Sequence, residues 1–263
     1  MNLEHICQQV IALSKEVGGF LLQESKNFDL ANIEYKGAKD LVSYVDREAE
    51  TKLVAGLEKI LPDAGFLTEE GTVSKQNNNL YWVVDPLDGT TNFLHSLPVF
   101  STSIGLMHNG EVVLGVVYEP NKDECFWATK GNGAYLNNKK ISVSKVDSLS
   151  KALIGTGFPY SLLDRGPRYF DLMRELQEQS HGMRRLGSAA VDLAYVACGR
   201  FDAYYEFNLK PWDIAAGILL VQEAGGKISD FEGGNDYISG KEIVAGNNLV
   251  QHEIRDIILS HWI

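Results

Sequence analysis

YWVVDPLDGTTNF, residues 81–93, runs a block of aromatic and β-branched residues straight into two aspartates, a proline, a glycine and two threonines. Tyr81 to Val84 has the composition of a buried strand. Pro86 pushes Asp85 out of the helical region, and Gly89-Thr90-Thr91-Asn92 reads as a helix start. Asp85 and Asp88 therefore fall at a strand-to-helix corner. Burying a carboxylate is costly without a positive partner, so the corner predicts a cation. The amides of Gly89 and Thr90 at the same corner offer an anion site. A turn aspartate followed by a helix cap explains the same letters without a ligand. The other acids of the chain decide between the two.

Upstream, the apolar residues Leu3, Ile6, Val10, Val17, Phe20 and Leu21 recur at helical spacing and predict an amphipathic surface helix. Gln8, Gln9, Lys15 and Glu16 interrupt that stretch and no basic segment precedes it, which argues against a signal peptide. A second helix runs over DREAETKLVAGLEKI, residues 46–60, with Ala49, Leu53, Leu57 and Ile60 on one face and Pro62 as its stop. Downstream, Phe100 to Ile141 carries turn signals at HNG, EPNKD, KGNG and LNNKK and predicts an antiparallel sheet. After residue 147 strands and helices alternate: KALIGTGF, RYFDLMRELQ, MRRL, SAAVDLAYVAC, FDAYYEF, DIAAGILLVQEAGG, GKISD, EIVAGN and a terminal helix. That alternation implies a layered α/β architecture. The texture divides the chain into an N-terminal α+β half, 1–147, and a C-terminal α/β half, 148–263, that share an interface.

At 263 residues and 44% hydrophobic content the chain can bury a substantial core. A formal net charge of −11 repels nucleic acid, acidic membranes and phosphorylated metabolites alike. A phosphate ligand therefore needs metal help. The three cysteines, Cys7, Cys125 and Cys198, are widely spaced in apolar surroundings, as expected of free thiols in a reducing cytoplasm. No stretch reaches the roughly 20 uncharged residues of a membrane span.

Four further acids join the corner. AGFLTEEGT ends a strand with Glu69 and Glu70, and neighbours on an extended chain face opposite sides, so at most one reaches a common ion. Asp46 in LVSYVDRE opens the second helix, where N-capping would also account for it. Asp213, between Pro211-Trp212 and a very apolar helix, suits the first-turn dipole. Each has an ordinary explanation singly; together with Asp85 and Asp88 they form an oxygen-donor set suited to Mg²⁺. None of the six histidines falls within it, and His95 nearby reads as a packing or surface residue.

Glu69-Glu70, WVVDPLDGTTNF, PWDIAAG and EAGG, in this order over nearly the whole chain, resemble the inositol monophosphatase family of metal-dependent, lithium-sensitive phosphatases, in a bacterial-type member. The resemblance implies an α-β-α-β-α sandwich and a phosphomonoester hydrolase, foremost an inositol-1-monophosphatase, that uses two or three Mg²⁺ ions and no phosphoenzyme. It assigns Glu69, Asp85 and the Leu87 carbonyl to a first metal, and Asp85, Asp88 and Asp213 to a second. Asp46 would help hold a third. It makes Thr90 the hydroxyl that orients the attacking water and Glu70 an outer partner. Lys36 matches a loop lysine near the site. For substrate it implies Gly89 and Thr90 at the phosphate, and Gly187, Ser188, Ala189, Glu206 and Asp213 near the polyol. Arg184 matches an arginine near substrate and subunit contacts. A homodimer follows from the same resemblance.

Relatives that act on 3'-phosphoadenosine 5'-phosphate usually carry lysine after D-G-T, where this chain has Thr91. Fructose-1,6-bisphosphate and NADP phosphatases share the metal core and stay open. The haloacid-dehalogenase phosphatases need D-x-D-G-T, whereas Pro86 and Leu87 separate the acids here. Some bacterial relatives act in transcription antitermination through RNA polymerase, a protein contact that the acidic charge permits although it opposes direct RNA binding.

Overall fold

The computed structural model describes residues 1–27, 34–37, 40–42, 44–158, 165–239 and 242–262, with backbone alone for 34–37 and 40–42. Lys36 lies in one of those backbone segments, so its proposed place near the site falls outside the described side chains.

Helix α1 (Leu3–Ser25) starts at Asn2, whose side chain accepts from the His5 amide at 3.1 Å. A small antiparallel pair, β1 (Glu34–Gly37) and β2 (Asp40–Val42), leads into α2 (Tyr44–Ile60). Then come β3 (Gly65–Thr68), β4 (Leu80–Asp88), α3 (Thr90–Leu94), β5 (Ser101–His108), β6 (Glu111–Glu119), β7 (Glu124–Thr129), β8 (Ala134–Leu136) and β9 (Lys139–Ile141). These strands form one seven-stranded sheet in chain order. The sheet is antiparallel as expected except for its first pair, β3 and β4, which run parallel.

The second sheet is mixed. It contains β10 (Leu153–Thr156), β11 (Gly182–Arg184), β12 (Ala203–Phe207), β13 (Lys227–Ser229) and β14 (Glu242–Gly246), in the order β11-β10-β12-β14-β13. Four helices accompany it: α4 (Gly166–Gln179), α5 (Ala189–Ala197), α6 (Pro211–Glu223) and α7 (Val250–Trp262).

Strand period explains the layering. Along β4, Trp82 and Val84 pack with α1 and α2 residues such as Val10 and Leu53, while Val83 between them packs with Leu193 of α5 and Ile218 of α6. The outer face of the second sheet, with Tyr205 and Val244, is covered by Leu172 of α4 and Ile254 of α7. The result is the five-layer order α-β-α-β-α.

Two details aim the corner. Strand β4 continues past Val84 to Asp88, but its register against β5 slips between Asp85 and Asp88, where Pro86 has no N–H to give. Helix α6 lies directly on the first sheet: a Cβ on Gly115 would sit 2.7 Å from the Ala216 carbonyl oxygen, and one on Gly105 3.0 Å from the Ala215 Cβ. That close approach fixes the start of α6, and Asp213 with it, relative to the strands. Among the described residues no helix is long and apolar enough to cross a membrane.

Candidate active site

Asp85 follows Val83 by two residues and so points toward the α5–α6 layer, where it is buried. Its Oδ1 accepts from the Leu87 amide at 2.9 Å, which closes the turn around Pro86. Burial pushes its carboxyl well above the usual range, and the charges of Glu69, Asp88 and Asp213 push it further.

Each of the other acids is aimed by a separate element. Asp88 Oδ2 accepts from Ser188 Oγ at 2.5 Å and from the Ala190 amide at 2.8 Å, tying the end of β4 to the start of α5. Burial raises Asp88 to about 6 against those hydrogen bonds. Asp213 Oδ2 accepts from the Lys210 amide at 2.7 Å and caps its own helix, as the first-turn position predicts. Its carboxyl stands well above the usual range through burial, then the Asp88 charge.

Gly89, at φ +97°, starts α3; a Cβ there would lie 3.0 Å from the Val99 oxygen and 3.2 Å from the Gly187 oxygen. Asn92 Nδ2 staples the same junction, donating to Val99 O at 2.7 Å and Leu186 O at 2.8 Å. Thr90 Oγ1 lies 3.1 Å from Asp46 Oδ1 and 3.0 Å from the Leu87 oxygen.

Glu69, Asp85, Asp88 and Asp213 therefore act on one another although residues 69 and 213 come from opposite halves of the chain. At an effective dielectric of about 20, two unit charges about 4 Å apart repel by roughly 4 kcal/mol. Four carboxylates crowded around the buried Asp85 cannot all ionise there unaided. Among the described residues no group of three His, Cys, Asp or Glu side chains is arranged, as it stands, to hold a metal ion. Asp85, Asp88 and Asp213 are each turned toward a protein donor. The donor set nonetheless fits a hard divalent ion, with carboxylates and the Leu87 carbonyl as oxygen ligands.

On the other side of Asp88 and Asp213 lies a small pocket whose walls include Gly187, Ser188, Ala189 and Glu206. Ser188 is the N-cap of α5, accepting from the Val191 amide at 3.3 Å. Glu206, near the end of β12, is raised to about 7 by burial, opposed by the Tyr204 hydroxyl and the Arg185 charge. The pocket thus collects every residue expected near a polyol.

Some expectations need correction. Asp46 is not the cap of α2: the helix begins at Tyr44, and Asp46 is buried within its first turn, where the Thr90 hydroxyl donates to it. Asp88 does not cap α3 either, because Gly89 takes that place. Glu70 meets the loop through its backbone, its amide donating to Glu50. Of the adjacent arginines, Arg185 lines the pocket and stacks on Phe158, 5.7 Å from the ring centroid; Arg184 donates to the Met183 carbonyl on the surface. His95 is exposed, as read.

Glu50 is the residue that sequence reasoning missed. It is fully buried on α2, one turn after Asp46. Its Oε1 accepts from Thr68 Oγ1 at 2.9 Å and the Thr72 amide at 2.7 Å, and its Oε2 from the Glu70 amide at 2.7 Å. The carboxylate thus shapes the loop that carries Glu69. Its position on the apolar stripe of Ala49, Leu53 and Leu57 was the available signal. Glu50→Gln should destabilise by about 2–4 kcal/mol in denaturant melts, since an amide NH₂ must face one of these donors. Glu50→Ala should do the same, and retention of native stability by Glu50→Gln would contradict the loop role.

The chain belongs to the inositol monophosphatase family, whose model matches residues 2–261. The family consists of phosphatases that are generally metal-dependent. Two curated relatives are the Nus factor SuhB of Pseudomonas aeruginosa, 44% identical over 89% of this chain and 88% of its own, and an inositol-1-monophosphatase of Mesorhizobium japonicum, 41% identical over 93% and 92%. Among solved structures, the extragenic suppressor protein suhB of Bartonella henselae superposes with a TM-score of 0.90 at 40% identity, over 95% of this chain and 97% of that one.

Proposed function

We propose that the protein is a Mg²⁺-dependent phosphomonoesterase whose preferred substrate is an inositol monophosphate. The observation that carries this reading is the mutual crowding of Glu69, Asp85, Asp88 and Asp213 beside a pocket that ends at Glu206. Glu69, Asp85 and the Leu87 carbonyl would hold one ion; Asp85, Asp88 and Asp213 would hold a second, and Asp46 would help with a third. Bound there, such ions activate water and neutralise charge on the phosphoryl oxygens.

The chain's own groups do the rest. The Thr90 hydroxyl has one proton and two acceptors, Asp46 and the Leu87 carbonyl, so its lone pairs stay free to accept from a water and orient it. Gly89 and Thr90 present backbone amides at the same corner for the phosphate. Glu70 supports the loop around Glu69. On the leaving-group side, Gly187, Ser188 and Ala189 line one wall, and Glu206 accepts from polyol hydroxyls. Because developing charge sits on the phosphoryl oxygens, positioning and electrostatics carry most of the catalysis.

Myo-inositol 1-phosphate should be hydrolysed with Mg²⁺ and left intact in excess EDTA. In a panel with fructose 1,6-bisphosphate, NADP and 3'-phosphoadenosine 5'-phosphate it should give the highest kcat/KM. Metal-free turnover would overturn the scheme, and a different first rank would overturn the substrate. A cytoplasmic homodimer inhibited by lithium belongs to the same proposal, with light scattering and a lithium titration as its tests.

A second reading, a protein contact in transcription, is favoured by the relative named Nus factor at 44% identity. An inactive Asp88→Asn chain that still fulfils the host role would decide for it.

A further inference from the structure

Tyr169, on α4, is fully buried, and its ring alone would satisfy the packing around it. It meets Phe207 edge to face at 5.1 Å between centroids and tilts against Tyr205 at 6.0 Å. Phenylalanine would fill the same space, so it is the hydroxyl that asks for an explanation. That hydroxyl donates to the Gly157 carbonyl and lies 3.0 Å from Thr156 Oγ1, which donates to the Tyr205 carbonyl at 3.0 Å. Burial pushes the phenol's pKa up, so it keeps its proton and stays a donor.

Gly157 is where these bonds bear. It is buried, directly follows β10, and forms part of the pocket wall with Glu206. A Cβ on it would lie 1.9 Å from a Glu206 carboxylate oxygen, so the backbone passes flat against that acid and only glycine leaves it room. Glu206 projects from β12 on the face of Tyr204, whose hydroxyl donates to it. Tyr205 and Phe207, on the opposite face, pack with Tyr169. Tyr169 thus stands behind the sheet, and it holds from there a backbone segment that closes on Glu206 from the pocket side.

Building on the phosphatase reading above, we infer that Tyr169 is a positioning residue for leaving-group specificity: its hydrogen bond to the Gly157 carbonyl fixes the wall against which the Glu206 carboxylate is set to accept from a polyol hydroxyl. Without that bond the buried carbonyl must turn to another donor, and Glu206 gains room to leave its place. Glu69, Asp85 and Asp88 sit on other elements, so the loss falls on binding of the polyol and not on the phosphoryl chemistry.

The test is Tyr169→Phe, which keeps the ring, measured with myo-inositol 1-phosphate and with p-nitrophenyl phosphate, whose leaving group brings no hydroxyl to Glu206. KM for the inositol ester should rise at least fivefold with kcat within twofold of native, while kcat/KM for p-nitrophenyl phosphate stays within twofold. Gly157→Ala, whose Cβ must displace the Glu206 carboxylate, should lower the ratio of the two kcat/KM values at least tenfold. A hydroxyl that serves stability alone would lower the melting temperature and leave the ratio as it is. An unchanged ratio in either variant, a loss in Tyr169→Phe confined to kcat or equal for both substrates, or a Tyr169→Phe chain that does not fold overturns the inference. If the native enzyme hydrolyses neither substrate with Mg²⁺, the phosphatase reading itself has failed; native turnover of both with an unaltered ratio in Tyr169→Phe fails Tyr169 alone.

Discussion

Asp85→Asn should lower kcat/KM for phosphomonoester hydrolysis by at least about a hundredfold, about 2.7 kcal/mol of barrier at 1.36 kcal/mol per tenfold. On the proposed assignment Asp85 is the one side chain shared by both ions, so its loss weakens two sites together. It is also the group most crowded by Glu69, Asp88 and Asp213. Neutralising it relieves that repulsion, so the same variant should melt higher than native in EDTA. Lower activity with higher metal-free stability is the expected pair, as where a functional site is held at a cost to the fold. Near-native kcat/KM at saturating Mg²⁺ would remove Asp85 from the centre of the scheme.

Without metal, stability should fall as pH rises from about 4 to about 7. Asp88 and Glu206 are raised by burial to about 6 and about 7, and Asp85 and Asp213 are raised as well. The folded state therefore binds more protons than the unfolded chain in this window, and ∂ΔG/∂pH is negative. The contribution is complete below the unfolded carboxylate values and is lost as pH passes the folded ones. Each pKa unit is worth about 1.4 kcal/mol, or about 2–4 °C in melting temperature for a chain of this size. Several groups acting together should give a drop of more than about 5 °C between pH 5 and pH 7.5 in EDTA. Saturating Mg²⁺ should abolish the drop, because the ion favours the charged carboxylates. Equal slopes with and without Mg²⁺ would mean that these acids meet no ion.

The layered fold was legible because its helices repeat apolar residues at period 3.6 and its strands are short apolar runs set apart by turn signals. The corner at Asp85 was legible because Pro86 and Gly89 constrain the backbone wherever they occur. Other features depended on packing. Asp46 could be mistaken for a cap because α2 begins two residues earlier than its apolar stripe suggests. Arg184 and Arg185 are adjacent at the end of β11, and only the placement of that strand against β10 settles which of them reaches the pocket. Glu50 is an acid on an apolar helix face, a pattern visible in the letters but without a meaning until the loop beside it is known. The meeting of Glu69 with Asp213 is a property of the layers, since α6 must lie flat on Gly105 and Gly115 to bring it about.

The most direct test is a crystal soaked in Mn²⁺ and measured at the manganese absorption edge. The account predicts anomalous density between Glu69, Asp85 and the Leu87 carbonyl, and again between Asp85, Asp88 and Asp213. Density absent from both places, with Mn²⁺ bound elsewhere or not at all, would contradict it.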